Sequence, residues 1–284
     1  MPVRDLYQDM MRFILGAEAG RSDYLKALPR NHSSKNDSIG PIPPWVRDFS
    51  ASSVPAPMDE LASSTAQFHG NAKIWPSEDP DELILDDKKM DTIQATSGAI
   101  PLTSNLETLT KSFSEAMPQW ISLAVNLLDS RATPDLATEN SILWLARMLL
   151  TGMPWSSFSR SELIHHFKAW MAFLSQSPNT SKDKDNSHNP QLPAGPSTAI
   201  ERALRKCRER CPCATKKGNL CLAPAMAKQG DVVAYFAGGY SFFVLWPCGT
   251  YHELVGVCRV VEYDGDAVQT LKDDATSWKK IILR

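Results

Sequence analysis

The chain has 284 residues, 43% of them apolar and 22% charged, with a formal net charge of −2. That apolar content can fill one large core or two modest ones. So balanced a charge excludes the global attraction that holds proteins to nucleic acid or anionic membranes. No run approaches the ~20 apolar residues of a membrane-spanning helix. The opening MPVRDLYQDMMRFIL carries acids inside its apolar stretch and no small-residue cleavage site, unlike a secretion signal. These features predict a cytoplasmic protein whose six cysteines are reduced thiols.

Leu6, Met10, Phe13 and Ile14 fall at helical spacing, with Gly16 where a helix stop belongs. Ser22 can cap a second short helix that Pro29 ends, so residues 1–29 are expected to be helical. Residues 30–44 read as a loop, and Trp45 to Phe49 alternate like a short strand, with Trp45, Val46 and Phe49 candidates for burial. Leu83 and Leu85, a polar turn at Asp86 to Lys89, and then Met90, Ile93 and Ala95 predict a hairpin.

A helical block is predicted over 102–175. Ser104 with Glu107 fits a capping box, and Leu106, Leu109 and Phe113 form the first stripe. Pro118 is expected to start a second helix with Trp120, Ile121, Val125 and Leu128. Thr133-Pro134 opens a third, with Leu136, Leu143, Leu145 and Leu149 inside. Ser159 or Ser161 starts a fourth, with Leu163, Phe167, Trp170, Met171 and Leu174 on one face. Residues 176–197 are too polar to offset the entropy of ordering and read as a flexible linker. Residues 198–210 read as a basic helix.

The C-terminal part reads as a β module. Val232 to Phe236 and Phe242 to Trp246 are apolar runs joined through Gly238-Gly239. Pro247 to Thr250 turn again, Tyr251 to Val261 make a third strand with Gly256 a bulge, and Trp278 to Leu283 can close the sheet. Strands buried on both faces must curl or pack on another layer.

Candidate chemistry is sparse. Cys207, Cys211, Cys213 and Cys221 lie close enough in sequence to hold zinc, but their spacing is not that of paired knuckles. Glu162 and His166 are one turn apart, with His165 beside them, and do not match the two-histidine zinc helix. Arg202, Arg205, Lys206, Arg208, Arg210, Lys216 and Lys217 outnumber Glu201 and Glu209 and can contact phosphates, without the aromatic platform of a nucleic-acid reader. Residues 78–91 are acidic, and the two segments can face one another or water. Asp231 after Gly230 is expected to fix a turn through its side chain. Tyr235, Phe236, Tyr240, Phe242, Phe243 and Trp246 suit core packing, or a patch for a partner.

The stretch from Thr215 to Val260 resembles the C-terminal region of fungal heterokaryon-incompatibility proteins, through Thr215, Gly218, Leu222, Pro224, Gly230, Asp231, Gly238, Gly239, Leu245, Tyr251, Leu254, Val255 and Gly256. Two earlier stretches resemble that family in the same order: Pro43 to Ser50, including Trp45 and Asp48, and Leu83 to Leu85 with Met90 to Ile93, including Asp91. Leu6 to Asp9 resembles the segment preceding them. Trp246 departs from the family, where an Arg is usual, as does Cys258 to Asp266. No stretch resembles the family's effector domain, which is similar to Toll/interleukin-receptor folds.

The resemblance implies that both ends of the chain share one sheet. The expected fold is α+β: a small curled antiparallel sheet or barrel from 43–97 and 211–284, with the helical block inserted. It also implies a non-catalytic accessory, regulatory or recognition module acting on a protein partner, with no cofactor or metal and no membrane. Two alternatives stand beside it: a divergent effector with nucleotide-hydrolysing activity, and a zinc- or nucleic-acid-binding adaptor. The family-motif residues expected to shape the module are Trp45, Asp48, Asp91, Gly218, Pro224, Gly230, Asp231, Gly239, Leu245 and Gly256.

Overall fold

The computed structural model describes residues 3–16, 43, 45–46, 74–75, 77–101, 103, 105–128, 134–149, 159–175, 204–205, 207–237, 241–261 and 278–284. Helix α1 (Val3–Gly16) comes first, followed by strands β1 (Ile74–Trp75) and β2 (Leu83–Thr96). Helices α2 (Leu106–Leu128), α3 (Pro134–Leu149) and α4 (Arg160–Ser175) form the inserted block. Strands β3 (Arg210–Thr215), β4 (Leu220–Pro224), β5 (Val232–Phe236), β6 (Phe242–Cys248), β7 (Tyr251–Val260) and β8 (Lys279–Leu283) complete the order. No described helix is long and apolar enough to cross a membrane.

The sheet is antiparallel except for a β7–β8 contact, and its pairings return on themselves. From β2 they run through β3, β4, β7, β6 and β5 and back to β2, while β8 bridges β2 and β7. Both ends of the chain therefore build one curled sheet, and the β2–β5 pairing of Asp87–Thr92 with Phe236–Val232 joins them directly.

Strand β2 replaces the expected hairpin. The Asp86 to Lys89 segment holds no glycine for a tight turn, and it finds partners along both edges instead. Leu83–Asp87 pair with β8, Asp87–Thr92 with β5, and Ile93–Thr96 with β3. Asp86 and Asp87 lie opposite Lys280 and Lys279, cross-strand pairs of opposite charge. The acidic segment thus meets the C-terminal strand through Asp86 and Asp87, and touches the basic segment at its end, where Asp91 and Met90 bond Lys217. A register shift between Lys89 and Asp91 bends the strand within its pairing to β5, just before Ile93 passes to β3.

Further corrections concern prolines and caps. Trp45 and Val46 are buried as expected, but they lie in a turn, closed by the Val46 amide on the Pro43 carbonyl, and not in a strand. Pro118 lies inside one continuous helix α2. Its missing N–H and the crowding of its ring against the preceding turn cost about 3 kcal/mol, which burial of the apolar stripe of Leu109, Phe113, Trp120 and Ala124 on both sides of it offsets. Asn105 caps α2, its Oδ1 accepting the Thr108 amide at 3.0 Å, while the expected cap Ser104 lies outside the described residues. Pro134 opens α3 and Ser159 caps α4 in a reciprocal box with Glu162, as the sequence predicts. Arg210 begins a strand and Cys207–Glu209 form a turn, so the basic helix does not extend through 210. Strand β6 runs through Pro247 to Cys248, which leaves Gly249-Thr250 as the two-residue turn.

Three apolar clusters hold the layers together. Alternate residues of the strands serve two of them: Val232, Ala234 and Phe236 join Met11, Trp45, Leu83 and Ile281, whereas Val233 and Tyr235 join Ile93, Val244 and Val260. The third lies between the helices and β4, whose Leu220 and Leu222 pack with Phe113, Trp120, Leu145 and Phe167. Expectations for residues 22–29, Asp48, Phe49, the 176–197 linker, Gly238-Gly239 and Tyr240 lie outside the described residues, as do the side chains of Phe13, Ile14, Leu106, Leu128, Leu136, Leu163, His166, Trp170 and Leu174.

Candidate functional site

The motif residues collect at three joints. The first lies at the bend of β2. Buried Asp91 accepts the Thr92 amide through Oδ1 at 2.7 Å, and through Oδ2 the Lys217 amide at 3.1 Å and Asn219 Nδ2 at 3.5 Å. Lys217 Nζ donates to the Met90 carbonyl at 2.7 Å. The β3–β4 turn is thereby clasped to β2, with Gly218 at φ +85° where the chain reverses. Next to it the Ile93 amide donates to the Asp231 carbonyl at 2.8 Å, and the Gly230 amide to the Ile93 carbonyl at 2.9 Å. Asp231 Oδ2 accepts the Lys228 amide at 2.9 Å, the turn-fixing role expected of it.

The second joint is the contact of β4 with β7. Gly256 stands at a bulge, at φ +139°, and a Cβ there would lie 3.0 Å from Pro224 Cγ. Gly256→Ala is expected to destabilise the fold by about 1–3 kcal/mol, from unfavourable φ and from crowding. Urea unfolding followed by circular dichroism measures it, and a loss within error would show that Pro224 yields freely. Leu245, opposite this bulge, is core.

The third joint ties the opening segments to the sheet. Trp45 Nε1 donates to the Asp81 carbonyl at 2.7 Å, Gln8 Nε2 to Asp81 Oδ1 at 2.8 Å, and Arg12 to the Pro80 carbonyl. Asp48 and Gly239 lie outside the described residues.

Two groups of titratable side chains lie away from these joints. Asp87 is 6% exposed, and burial pushes its carboxyl up to about 6 against the opposing pull of Lys279 and Lys89. Burial and the charge of Lys89 push the His252 imidazole below its ordinary value. Folded Asp87 holds its proton to higher pH than the unfolded chain, so its contribution is full below about pH 4 and is lost as pH rises to about 6. Asp87→Asn should equal the parent near pH 4 and exceed it by about 2 kcal/mol at pH 7. His252 acts oppositely, losing stability on acidification, and cancels in the difference between the two proteins. A pH-independent difference would refute the assignment.

The second group is the thiols. Cys207 belongs to the helical cluster, whereas Cys211, Cys213, Cys221 and Cys258 belong to the cluster of Ile93 and Val244. The four cysteines grouped in the sequence are thus split, and among the described residues no three His, Cys, Asp or Glu side chains are arranged to hold a metal ion. Cys258, remote in sequence, joins the group because alternation along β7 turns it to the same face. Arg210, counted in the sequence only as part of a basic patch, lies beside them. Burial, opposed by the nearby thiols, lowers its guanidinium to about 10, still charged at neutral pH. Glu162 is used in the α4 cap, with His165 exposed. Tyr235, Phe236, Phe242 and Phe243 are core, whereas Trp246 is 38% exposed under Lys228 Nζ, 3.3 Å from its ring centroid.

The fold and these joints define a class: an α+β protein with a curled antiparallel sheet whose singled-out polar residues clasp backbone. Comparison of the chain with family models, with curated proteins and with solved structures returns no match.

Proposed function

We propose that this chain is a non-catalytic recognition or regulatory module of the kind found at the C-terminus of fungal heterokaryon-incompatibility proteins, acting in the cytoplasm on a protein partner. One observation carries the reading: the described motif residues serve as joints of a scaffold. Asp91, Gly218, Gly230 and Asp231 meet at one bend, Pro224 meets Gly256, and Trp45 pins the N-terminal segments. A catalytic role would ask the same carboxylates to face a substrate, but Asp91 and Asp231 accept main-chain amides. The fit partner is the effector domain of that family.

The test has two arms. Incubated with NAD, the purified chain should consume none, and turnover would replace this reading with the nucleotide-hydrolysing one. Co-expressed in a fungal host with an effector domain of the family, it should co-purify with that domain and alter the growth arrest the domain causes. Failure to associate would overturn the recognition role.

A further inference from the structure

Cys211, Cys213, Cys221 and Cys258 are buried together in one apolar cluster. The sulfurs of Cys211 and Cys213 lie 3.7 Å apart. Cys221 is the register partner of Cys213 across the β3–β4 ladder, and its thiol donates to the Cys213 carbonyl at 3.5 Å. Two residues along a strand place Cα atoms about 6.6 Å apart, and direct cross-strand partners about 5.5 Å apart. The cross-strand separation matches the usual value for disulfides, and the in-strand one lies at the outer edge of their roughly 4.4–6.8 Å range. Cys213 is common to both pairs. Arg210, adjacent in β3, donates to the Val257 carbonyl and brings a cation to this otherwise apolar surrounding.

We propose that this cluster is an oxidation site, where hydrogen peroxide converts two buried thiols to one intramolecular disulfide that contains Cys213. The first step is attack of the Cys211 sulfur on a peroxide oxygen. The O–O bond breaks, a sulfenic acid forms, and the thiol proton leaves with the departing hydroxide as water. The Cys213 sulfur then attacks the sulfenic sulfur, the S–O bond breaks, and a second water carries off its proton. Two thiols lose two electrons in total and one peroxide is reduced to two waters. Exchange with Cys221 can move the bridge to the cross-strand pair and return Cys211 to the thiol.

The environment sorts these roles. The hydrogen bond with Cys213 and the charge of Arg210 draw the Cys211 thiol below its ordinary value despite burial, which favours the attacking thiolate. The Cys213 thiol is pushed well up by its bonds to Cys211 and Cys221 and by burial, which suits a resolving thiol that waits for the sulfenic acid. Burial also favours a small neutral oxidant over the bulky, charged tripeptide glutathione.

The full chain is treated with hydrogen peroxide at neutral pH, its remaining thiols are alkylated, and its peptides are mapped by mass spectrometry. The expected result is the loss of two hydrogens and one bridge joining Cys213 to Cys211 or to Cys221, reversed by dithiothreitol. Cys213→Ser should abolish the bridge, and Cys248→Ser should leave it unchanged. If Cys213→Ser does not fold, the map of the unaltered chain decides alone. A bridge that omits Cys213, a glutathione adduct at the cluster after exposure to oxidised glutathione, or no bridge at peroxide levels that oxidise a free thiol would each overturn the proposal.

Discussion

Trp120→Ala is expected to lower the unfolding free energy by about 3–5 kcal/mol, among the largest losses a single side chain of this protein can cause. Trp120 is fully buried in the cluster that joins the three inserted helices to β4. Its ring meets Phe113 edge-on at 5.2 Å between centroids, and its Nε1 donates to the Gly98 carbonyl at 2.8 Å. Truncation removes the ring, opens a cavity among residues from two layers, and orphans the Gly98 carbonyl. Trp120→Phe separates these effects. It keeps most of the apolar contact and loses the hydrogen bond, for which about 1–2 kcal/mol is expected. Urea unfolding followed by circular dichroism should show a lower midpoint at unchanged slope for both. A loss below about 1 kcal/mol for the alanine variant would mean that the helices are not anchored through this residue.

Asp91→Ala is expected to lower stability by about 1–3 kcal/mol, because the half-buried Thr92 amide and the more exposed Lys217 amide lose their charged acceptor. Both amides belong to backbone where β2 bends and the β3–β4 turn closes on it. Hydrogen exchange offers a second reading of the same variant. The amides of Thr92 and Lys217 should lose protection selectively, while those of β6 and β7 keep theirs. Asp91→Asn, which retains one acceptor oxygen, should lose less. Equal losses for the two variants would show that charge, and not the clasp, is what β2 needs.

Several elements were legible because a short-range rule acts alone at each. Ser159 with Glu162 and Pro134 state helix starts that no distant residue has to complete. The apolar runs at 232–236 and 242–246, short and joined through glycines, suit strands with both faces covered, and Phe236 stacks on Phe243 at 4.8 Å. Other elements were hidden because their state depends on partners far along the chain. Strand β3 carries Pro212, which has no N–H for a ladder, yet it holds its place because its carbonyl accepts the Ser97 amide and its neighbours pair with β4. Asp86 to Lys89 reads as a turn until Lys279 and Lys280 arrive opposite from the C-terminus. The candidate site divides in the same way. Asp231 as a turn-fixer follows from its local neighbours, but the meeting of Cys258 and Arg210 with Cys211, Cys213 and Cys221 does not.

The sequence by itself determined the presence of helices and strands together, several helix starts and the strands of the 231–261 segment, whereas the union of both chain ends in one sheet was an expectation that the family resemblance implied. Periodicity, caps and glycine positions act over a few residues and need no other information. Only the tertiary structure decided that β2 is one bent strand serving three partners, that Pro118 does not break α2, that Cys207 parts from the other thiols, and that Asp91 clasps a turn 126 residues away. The reason is physical. A strand edge is satisfied only by another strand, and which side chains share a face across a sheet depends on register, a property of the pair and not of either segment.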